Sequence, residues 1–336
     1  MDPLTDVRDI SRIAYGFMAS KALFAALNLD LFSRLAEPRT VGELVEASGV
    51  PAHRLKTLLA TLASLGLIVR DGAAFRNSPA ADRYLARSGR AYFGDYYRMQ
   101  IDRQTYPALQ HLDAGLAGDA DSLAFGSDVE LMSDPVEAEA FSLAQHAGSL
   151  GPALEFAKAV DLSGSTTLLD VAGGSGAFSI ALCTRHPELT ATIIDFPNVI
   201  EVARRYVAEA GLSDRISLIG GDALNTEWPQ QRDTVLLSYL LSAVRESDIP
   251  ALLEHSFNAL RPGGRLIIHD FMLDDDEQGP LLAAGWFLSN LAYQPDAGSF
   301  SAATLNDLLT RQGFAGPSAQ VLIPQITKTV ICGKPA

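Results

Sequence analysis

Several scarcities narrow the possibilities before any motif is considered. The only cysteines among 336 residues are Cys183 and Cys332, which give neither a disulfide framework nor a metal-binding spacing. That usage fits a reducing, cytoplasmic setting. No apolar run approaches the ~20 residues of a membrane span, and the start MDPLTDVRD is acidic where a signal peptide is basic. No membrane association is expected. Basic residues are outnumbered, 26 against 40 acidic, for a formal net charge of −14. The deficit is uneven: residues 1–100 carry 13 basic and 10 acidic groups, the remainder 13 and 30. Such a field disfavours nucleic acid and favours cations or neutral small molecules, although most of these acids are solvated surface. Internal repeats and low-complexity tracts are also missing. With 48% apolar residues, a chain of this length has ample core for about two domains.

What is present is a strand-helix rhythm that starts at Thr166–Gly176, TTLLDVAGGSG. Leu168 to Val171 reads as a buried parallel strand, broken by Ala172-Gly173-Gly174-Ser175-Gly176, with a helix following from Ala177 to about Arg185. Glycines at such a turn let backbone approach a ligand and leave N–H groups free at the helix start. A dinucleotide fingerprint spaces its glycines as G-x-G-x-x-G and seats a pyrophosphate on the helix. Here the glycines are bunched, Ala172 stands where the first is expected, and Asp170 lies two residues before it, a charge that repels pyrophosphate and suits a cationic cofactor. S-adenosylmethionine carries both a sulfonium and an ammonium. The next strand, Thr190 to Ile194, ends in Asp195, placed to accept both hydroxyls of a ribose. The third, Ile216 to Ile219, ends in Gly220-Gly221-Asp222-Ala223, where Asp222 can receive an adenine amino group. Any one of these acids alone reads as a helix N-cap. Three at successive strand ends read as a ligand site. Strands at Asp233–Leu237, Arg265–Asp270, Ala319–Ile323 and Lys328–Gly333, with a helix over Ile249–Leu260 and a tight turn at Arg261–Gly264, complete an α/β sheet of about seven strands.

The chain before that point is helical. Ile13 to Phe32 carries Ile13, Phe17, Lys21, Phe24, Leu27 and Leu31 at three- and four-residue steps, and a helix so apolar on most sides needs a partner on each. Thr40 to Glu43 spells a capping box. A short helix, the turn Ser48–Pro51, a helix over Ala52–Leu65 and a hairpin over Gly66–Val69 and Ala74–Arg76 then give a winged-helix pattern. A DNA-binding regulator is one reading of that pattern. Only His53, Arg54 and Lys56 on the second helix have reach, without a basic stripe in the wing, so a dimerisation and lid domain is preferred. Aromatic helical segments follow, with Tyr92, Phe93, Tyr96, Tyr97, Met99 and Tyr106, then a polar surface loop over Gly115–Asp128. A helix from Val136 toward Ser149 bears Phe141, Gln145 and His146, and a further helix passes through Pro152. The expected domains are 1–100 (winged-helix-like, dimerising), 101–160 (helical linker and substrate pocket) and 161–336 (cofactor domain).

These stretches together carry a family resemblance. The winged-helix entry, YPALQHLDAGLAGD from Tyr106, DPVEAEAFSLAQ from Asp134, LLDVAGGSGAFSIALCTRHPEL from Leu168, DFPNVIEVA from Asp195 and LRPGGRLIIHD from Leu260 resemble class I S-adenosylmethionine-dependent methyltransferases of the small-molecule O-methyltransferase family. That family includes plant phenylpropanoid and bacterial polyketide enzymes. The resemblance implies a Rossmann-like methyltransferase fold, with Asp170, Gly173, Gly174 and Gly176 near the methionine moiety, Asp195 on the ribose, and Phe196 and Ala223 beside the adenine. It also implies a homodimer through the N-terminal helices and a small-molecule acceptor, aromatic or keto-acid, methylated on oxygen or carbon.

One departure bears on mechanism. The family usually has Leu-His-Asp-Trp where this chain has Leu241-Ser242-Ala243-Val244, so Ser242 stands in the place of the general base. The acids that orient that histidine are also missing, with Ser299 to Ser301 where a glutamate is expected. In this the chain resembles a branch that includes a bacteriochlorophyll C-methyltransferase. Serine has no useful basicity near neutral pH. His146 and His269 are the candidate substitutes, each weighed against an ordinary capping or packing role. With Asp270 they lack a third well-placed ligand, so no metal site is expected. Tyr97, Phe141, Gln145, Trp286, Phe287, Asn290 and Tyr293 are the candidate acceptor-lining residues, although an aromatic stripe is more often core. A cofactor-dependent rearrangement or hydroxylation on the same fold is the alternative to methyl transfer.

Overall fold

The computed structural model describes residues 3–118, 128–294 and 296–336. The chain divides into two compact units, Met1–Gln104 and Thr105–Ala336, so the expected linker region 101–160 contributes to the second unit from Thr105 onward. Most of the loop expected over Gly115–Asp128 lies outside the described residues.

In the first unit, the opening helix spans Val7–Asn28, capped by Asp6, which accepts from the Arg8 amide at 2.7 Å. It stops short of Phe32. Asn28 and Asp30 bracket the break, Asp30 takes a left-handed φ of 50°, and the chain restarts as a single turn, Leu31–Arg34. Short polar side chains that compete for backbone groups favour such breaks. Strand β1, Arg39–Thr40, leads into the capping box. Thr40 Oγ1 accepts from the Glu43 amide at 3.3 Å, and Glu43 accepts from the Thr40 amide at 2.7 Å. The helix Val41–Ser48 ends at Gly49, whose φ of 71° suits a residue without a Cβ. The helix Ala52–Ser64 and the hairpin β2, Ile68–Asp71, and β3, Ala74–Asn77, follow, with β1 pairing on β3. Leu27, Leu31, Phe32, Leu44, Leu55, Leu59 and Leu62 form the core. The first half of the opening helix contributes nothing to it: Val7, Ile10, Ile13, Phe17 and Met18 are exposed.

The second unit is built on a seven-stranded sheet. Its strands are β4, Thr167–Val171; β5, Thr190–Asp195; β6, Ile216–Gly220; β7, Arg232–Ser238; β8, Leu260–Phe271; β9, Ala315–Ile323; and β10, Thr327–Gly333. The spatial order is β6-β5-β4-β7-β8-β10-β9, with β10 antiparallel to both neighbours and the other pairings parallel. The order reverses direction between β4 and β7, the switch point beside which open α/β sheets hold ligands. Alternation along each strand splits the core between two faces. Leu169, Val171, Val235, Leu237, Leu266 and Ile268 join one cluster. Leu168, Ile193, Leu236 and Ile267 join the other, beneath the helices Pro135–Ala159 and Ala177–Arg185.

Two local expectations are corrected here. The segments on either side of Pro152 form one helix, Pro135–Ala159, because the proline removes a single backbone donor without breaking the 25-residue run. The turn expected at Arg261–Gly264 is the start of β8. Arg261 pairs with the Asp233 carboxylate, and Gly263, with a φ of 74°, donates its amide to Lys334 O at 3.0 Å, so the irregular start of the strand finds partners there.

Candidate active site

The glycine turn after β4 is tight by necessity. Ala172, Gly174 and Gly176 have φ of 54°, 58° and 82°. A Cβ on Gly173 would lie 2.8 Å from Ile193 Cγ2 and 2.9 Å from the Asp170 carboxyl group, so only glycine fits between β4 and β5. Asp170 itself is buried. Ser179, in the first turn of the following helix, donates to its Oδ2 at 2.6 Å, while its Oδ1 is enclosed with no partner among the described residues. Burial pushes this carboxyl group up to about 7, and the nearby Asp195 charge adds to the shift. A buried acceptor left open calls for an occupant that donates.

Asp195 ends β5 and braces the same turn. Its Oδ2 accepts from the Gly174 amide and its Oδ1 from the Phe196 amide, both at 2.7 Å. Burial raises its pKa to about 6 against those two bonds. Each oxygen keeps a second lone pair, and the residue is only partly covered. Phe196 packs with Phe141, Val199, Ala138 and Met132. Asp222, after β6, accepts from the Leu224 amide at 3.0 Å and the Asn225 side chain at 2.6 Å, and the Ala223 carbonyl accepts from Trp228 Nε1 at 2.9 Å. Asp222 therefore serves its own turn as well as lying at the sheet's ligand edge.

Ser242 is buried against Asp270. Asp270 accepts from the Ser242 amide at 3.1 Å and the Phe271 amide at 2.8 Å, and burial pushes it up to about 6. Asn290 donates to the Ser242 carbonyl at 2.6 Å, which ties the helix Leu281–Asn290 to this corner. Trp286, from the same helix, stacks on Phe271 with centroids 4.7 Å apart, and Tyr293 follows in the next turn, half-buried.

Three candidates stand elsewhere than expected. His269 is fully enclosed, with Nδ1 3.0 Å from Ser238 Oγ and Nε2 3.0 Å from Thr327 Oγ1. Burial lowers its pKa to about 3, so it is a neutral strut between β7, β8 and β10 with no nitrogen left for an acceptor. Phe287 belongs to the core, edge-on to Phe300 at 5.1 Å. Tyr97 lies in the first unit, against that unit's core at the start of a π-helical stretch, Tyr97–Thr105.

His146 is on the helix Pro135–Ala159 beside the half-buried Gln145, and its ring lies flat on Tyr206, centroids 3.6 Å apart at 7°. Its Nδ1 is 2.8 Å from Ser175 Oγ in the glycine turn. Burial lowers its pKa to about 4. Ser175, Ser179 and Tyr206 were invisible to motif reading, because each acts across 9 to 60 residues with no fixed spacing. Tyr239 was missed too, although its φ of 56° at the end of β7 marks a constrained position. Among the described residues no three His, Cys, Asp or Glu side chains gather to hold a metal, and no helix is long and apolar enough to cross a membrane.

Strand-end acids around a glycine cradle at the switch point define a Rossmann-like methyltransferase unit. The comparisons with known proteins agree. Residues 124–315 match the family model of the O-methyltransferase domain, and residues 11–87 match the O-methyltransferase dimerisation domain. The chain belongs to this O-methyltransferase family. It is 31% identical over 320 residues to the tetracenomycin polyketide synthesis 8-O-methyl transferase of Streptomyces glaucescens, covering 94% of each chain. It is 30% identical over 332 residues to the L-tyrosine C(3)-methyltransferase of Streptomyces lavendulae, covering 92% of this chain and 87% of the relative. Its fold matches human N-acetylserotonin methyltransferase in complex with SAM, with a TM-score of 0.87, 24% identity and full coverage of both chains. The cofactor of this family is S-adenosylmethionine, and the open Asp170 oxygen suits its cationic group.

Proposed function

We propose that the protein transfers a methyl group from S-adenosylmethionine to a hydroxyl oxygen of a small, flat aromatic acceptor, without a histidine base. The observation that carries this reading is the corner at Ser242. There, a buried serine, tied to Asn290 beside the stacked Trp286 and Phe271, stands where the family resemblance implies a histidine. The bound cofactor supplies an electrophilic methyl on its sulfonium. The chain's own residues bind and orient. Asp170 offers the cofactor's ammonium an oxygen that no donor among the described residues uses, and Asp195 accepts from the ribose hydroxyls with its remaining lone pairs. Phe196 and Ala223 flank the adenine, with Asp222 at its amino edge. Asn290, held by Ser242, is placed to orient the acceptor, as are Trp286, Tyr293, Phe141 and Gln145. Asp270 fixes the Ser242 turn from beneath.

With no base, rate comes from alignment of nucleophile and methyl, and the acceptor must ionise by its own acidity. Phenols activated by a neighbouring carbonyl meet that requirement. The polyketide and tyrosine methyltransferases among the relatives support an aromatic acceptor, and the second of them keeps transfer to carbon beside a phenol as the variant outcome. The apolar face of the helix Val7–Asn28, left exposed in one chain, together with the dimerisation-domain match, supports a homodimer that exchanges its N-terminal helices. The protein would work in the cytoplasm on a free metabolite, with neither membrane nor nucleic acid as partner.

The test is turnover of methyl-labelled S-adenosylmethionine with a panel of hydroxylated polycyclic aromatics. Label is expected in an O-methyl ether. Cofactor consumption with no label in the acceptor would overturn the reading.

A further inference from the structure

The helix Pro135–Ala159 carries the acceptor-side candidates Phe141 and Gln145, yet its contacts run to elements that hold the cofactor. Near its start, Ala138 and Phe141 pack with Phe196 and Val199 just after β5. Glu139 pairs with Arg205 at 2.7 Å, a half-exposed strut to the helix Pro197–Glu209. Two turns later, His146 lies flat on Tyr206 of that helix and bonds Ser175 of the glycine turn. Ser175 is itself 4% exposed and sits between Gly174 and Gly176, both at left-handed φ. Asp195 holds this turn at the Gly174 amide, and His146 holds it at the next residue.

We infer that His146 is a positioning residue of the cofactor site, clamped on Tyr206 so that its Nδ1 fixes Ser175 and, through it, the glycine turn against the acceptor-bearing helix. Resting on the methyl-transfer reading above, this assigns His146 a task other than proton removal. The geometry favours it in two ways. Nδ1 is held on a hydroxyl and the ring face is covered by an aromatic at stacking distance, so the ring is fixed against the turn from two sides. A histidine kept neutral by burial is, in addition, a poor base for a phenol. The arrangement couples the two substrates, since the turn that receives the cofactor is held by the helix that lines the acceptor.

The experiment titrates full-length protein with S-adenosylhomocysteine by calorimetry, and follows turnover against pH. His146→Ala is expected to weaken binding by about tenfold, the scale of one hydrogen bond with its packing. Ser175→Ala should do the same, and the double variant should be no weaker than either, because both remove one link. His146→Asn, which can present an amide near the Nδ1 position, should recover affinity to within about threefold. At saturating cofactor, turnover of His146→Ala should fall by less than tenfold, with the pH dependence of the wild type. A merely structural role would lower thermal stability without this split between affinity and turnover. Wild-type affinity in His146→Ala and Ser175→Ala overturns the inference, as does an acid-side limb that disappears in His146→Ala. Should His146→Ala fail to fold, Ser175→Ala and His146→Asn decide alone. Failure of the wild type itself to bind S-adenosylhomocysteine would strike at the methyl-transfer reading instead.

Discussion

Asp170 gives the account a quantitative handle. Burial raises its pKa to about 7 in the ligand-free fold, against an ordinary value of 3.8. Because the folded form binds the extra proton, this group's contribution to stability is complete below about pH 4 and is lost as pH rises through about 7. An ammonium against the open Oδ1 reverses the preference and favours the carboxylate. Cofactor binding must therefore release a proton near neutrality, and affinity must rise with pH until about 7 and then level off. Between pH 6.5 and 8 the ionised fraction of such a group grows from roughly a quarter to nine-tenths, an affinity gain of about fourfold or ~0.8 kcal/mol. Asp195, raised only to about 6, and His146, lowered to about 4, titrate below that window. Calorimetry with S-adenosylhomocysteine in buffers of different ionisation enthalpy measures both the affinity and the proton count. Asp170→Asn keeps the Ser179 bond and should bind more weakly, with no proton release above pH 6.5. A wild-type affinity that is flat across the window, or the same slope in Asp170→Asn, would refute the reasoning.

Other expectations follow from the same contacts. Asp195→Ala removes acceptors for the Gly174 and Phe196 amides as well as for the ribose, and should weaken cofactor binding by about 1.5 to 3 kcal/mol in the same titration. Ser242→Ala should cost less than about tenfold in turnover, under ~1.4 kcal/mol of barrier, since the serine supports the pocket without accepting a proton. Phe287→Ala should lower unfolding free energy by about 3 to 5 kcal/mol in denaturant titration, as for a core aromatic, and a small loss would return it to the acceptor pocket. Deleting residues 1–32 should leave no soluble, active dimer in sedimentation and activity assays.

Much of this was legible where function is coded locally. Asp170 and Asp195 stand at ends of apolar runs, and the capping box at Thr40 and Glu43 formed as its spacing requires. The cofactor half follows because the parallel pairing of β4, β5 and β6 brings their carboxyl ends to one edge of the sheet. What escaped was set by pairing across distance. His269 loses its nitrogens to Ser238 on one neighbouring strand and Thr327 on the other, and β10 reaches that position only by antiparallel return. Phe287 and Trp286 are adjacent in sequence, yet helical geometry turns one into the core and the other onto Phe271. His146 was visible as a histidine on the right helix, but its partners Ser175 and Tyr206 come from two other elements.

The central claim is methyl transfer without a protein base, and the pH-rate profile of the wild type with a series of phenols of graded acidity tests it most directly. The account predicts a rising limb whose midpoint moves with the pKa of each acceptor. With the cofactor saturating, so that Asp170 is held ionised, a limb fixed at one pH whatever the phenol would reveal an ionising residue doing the work and would contradict it.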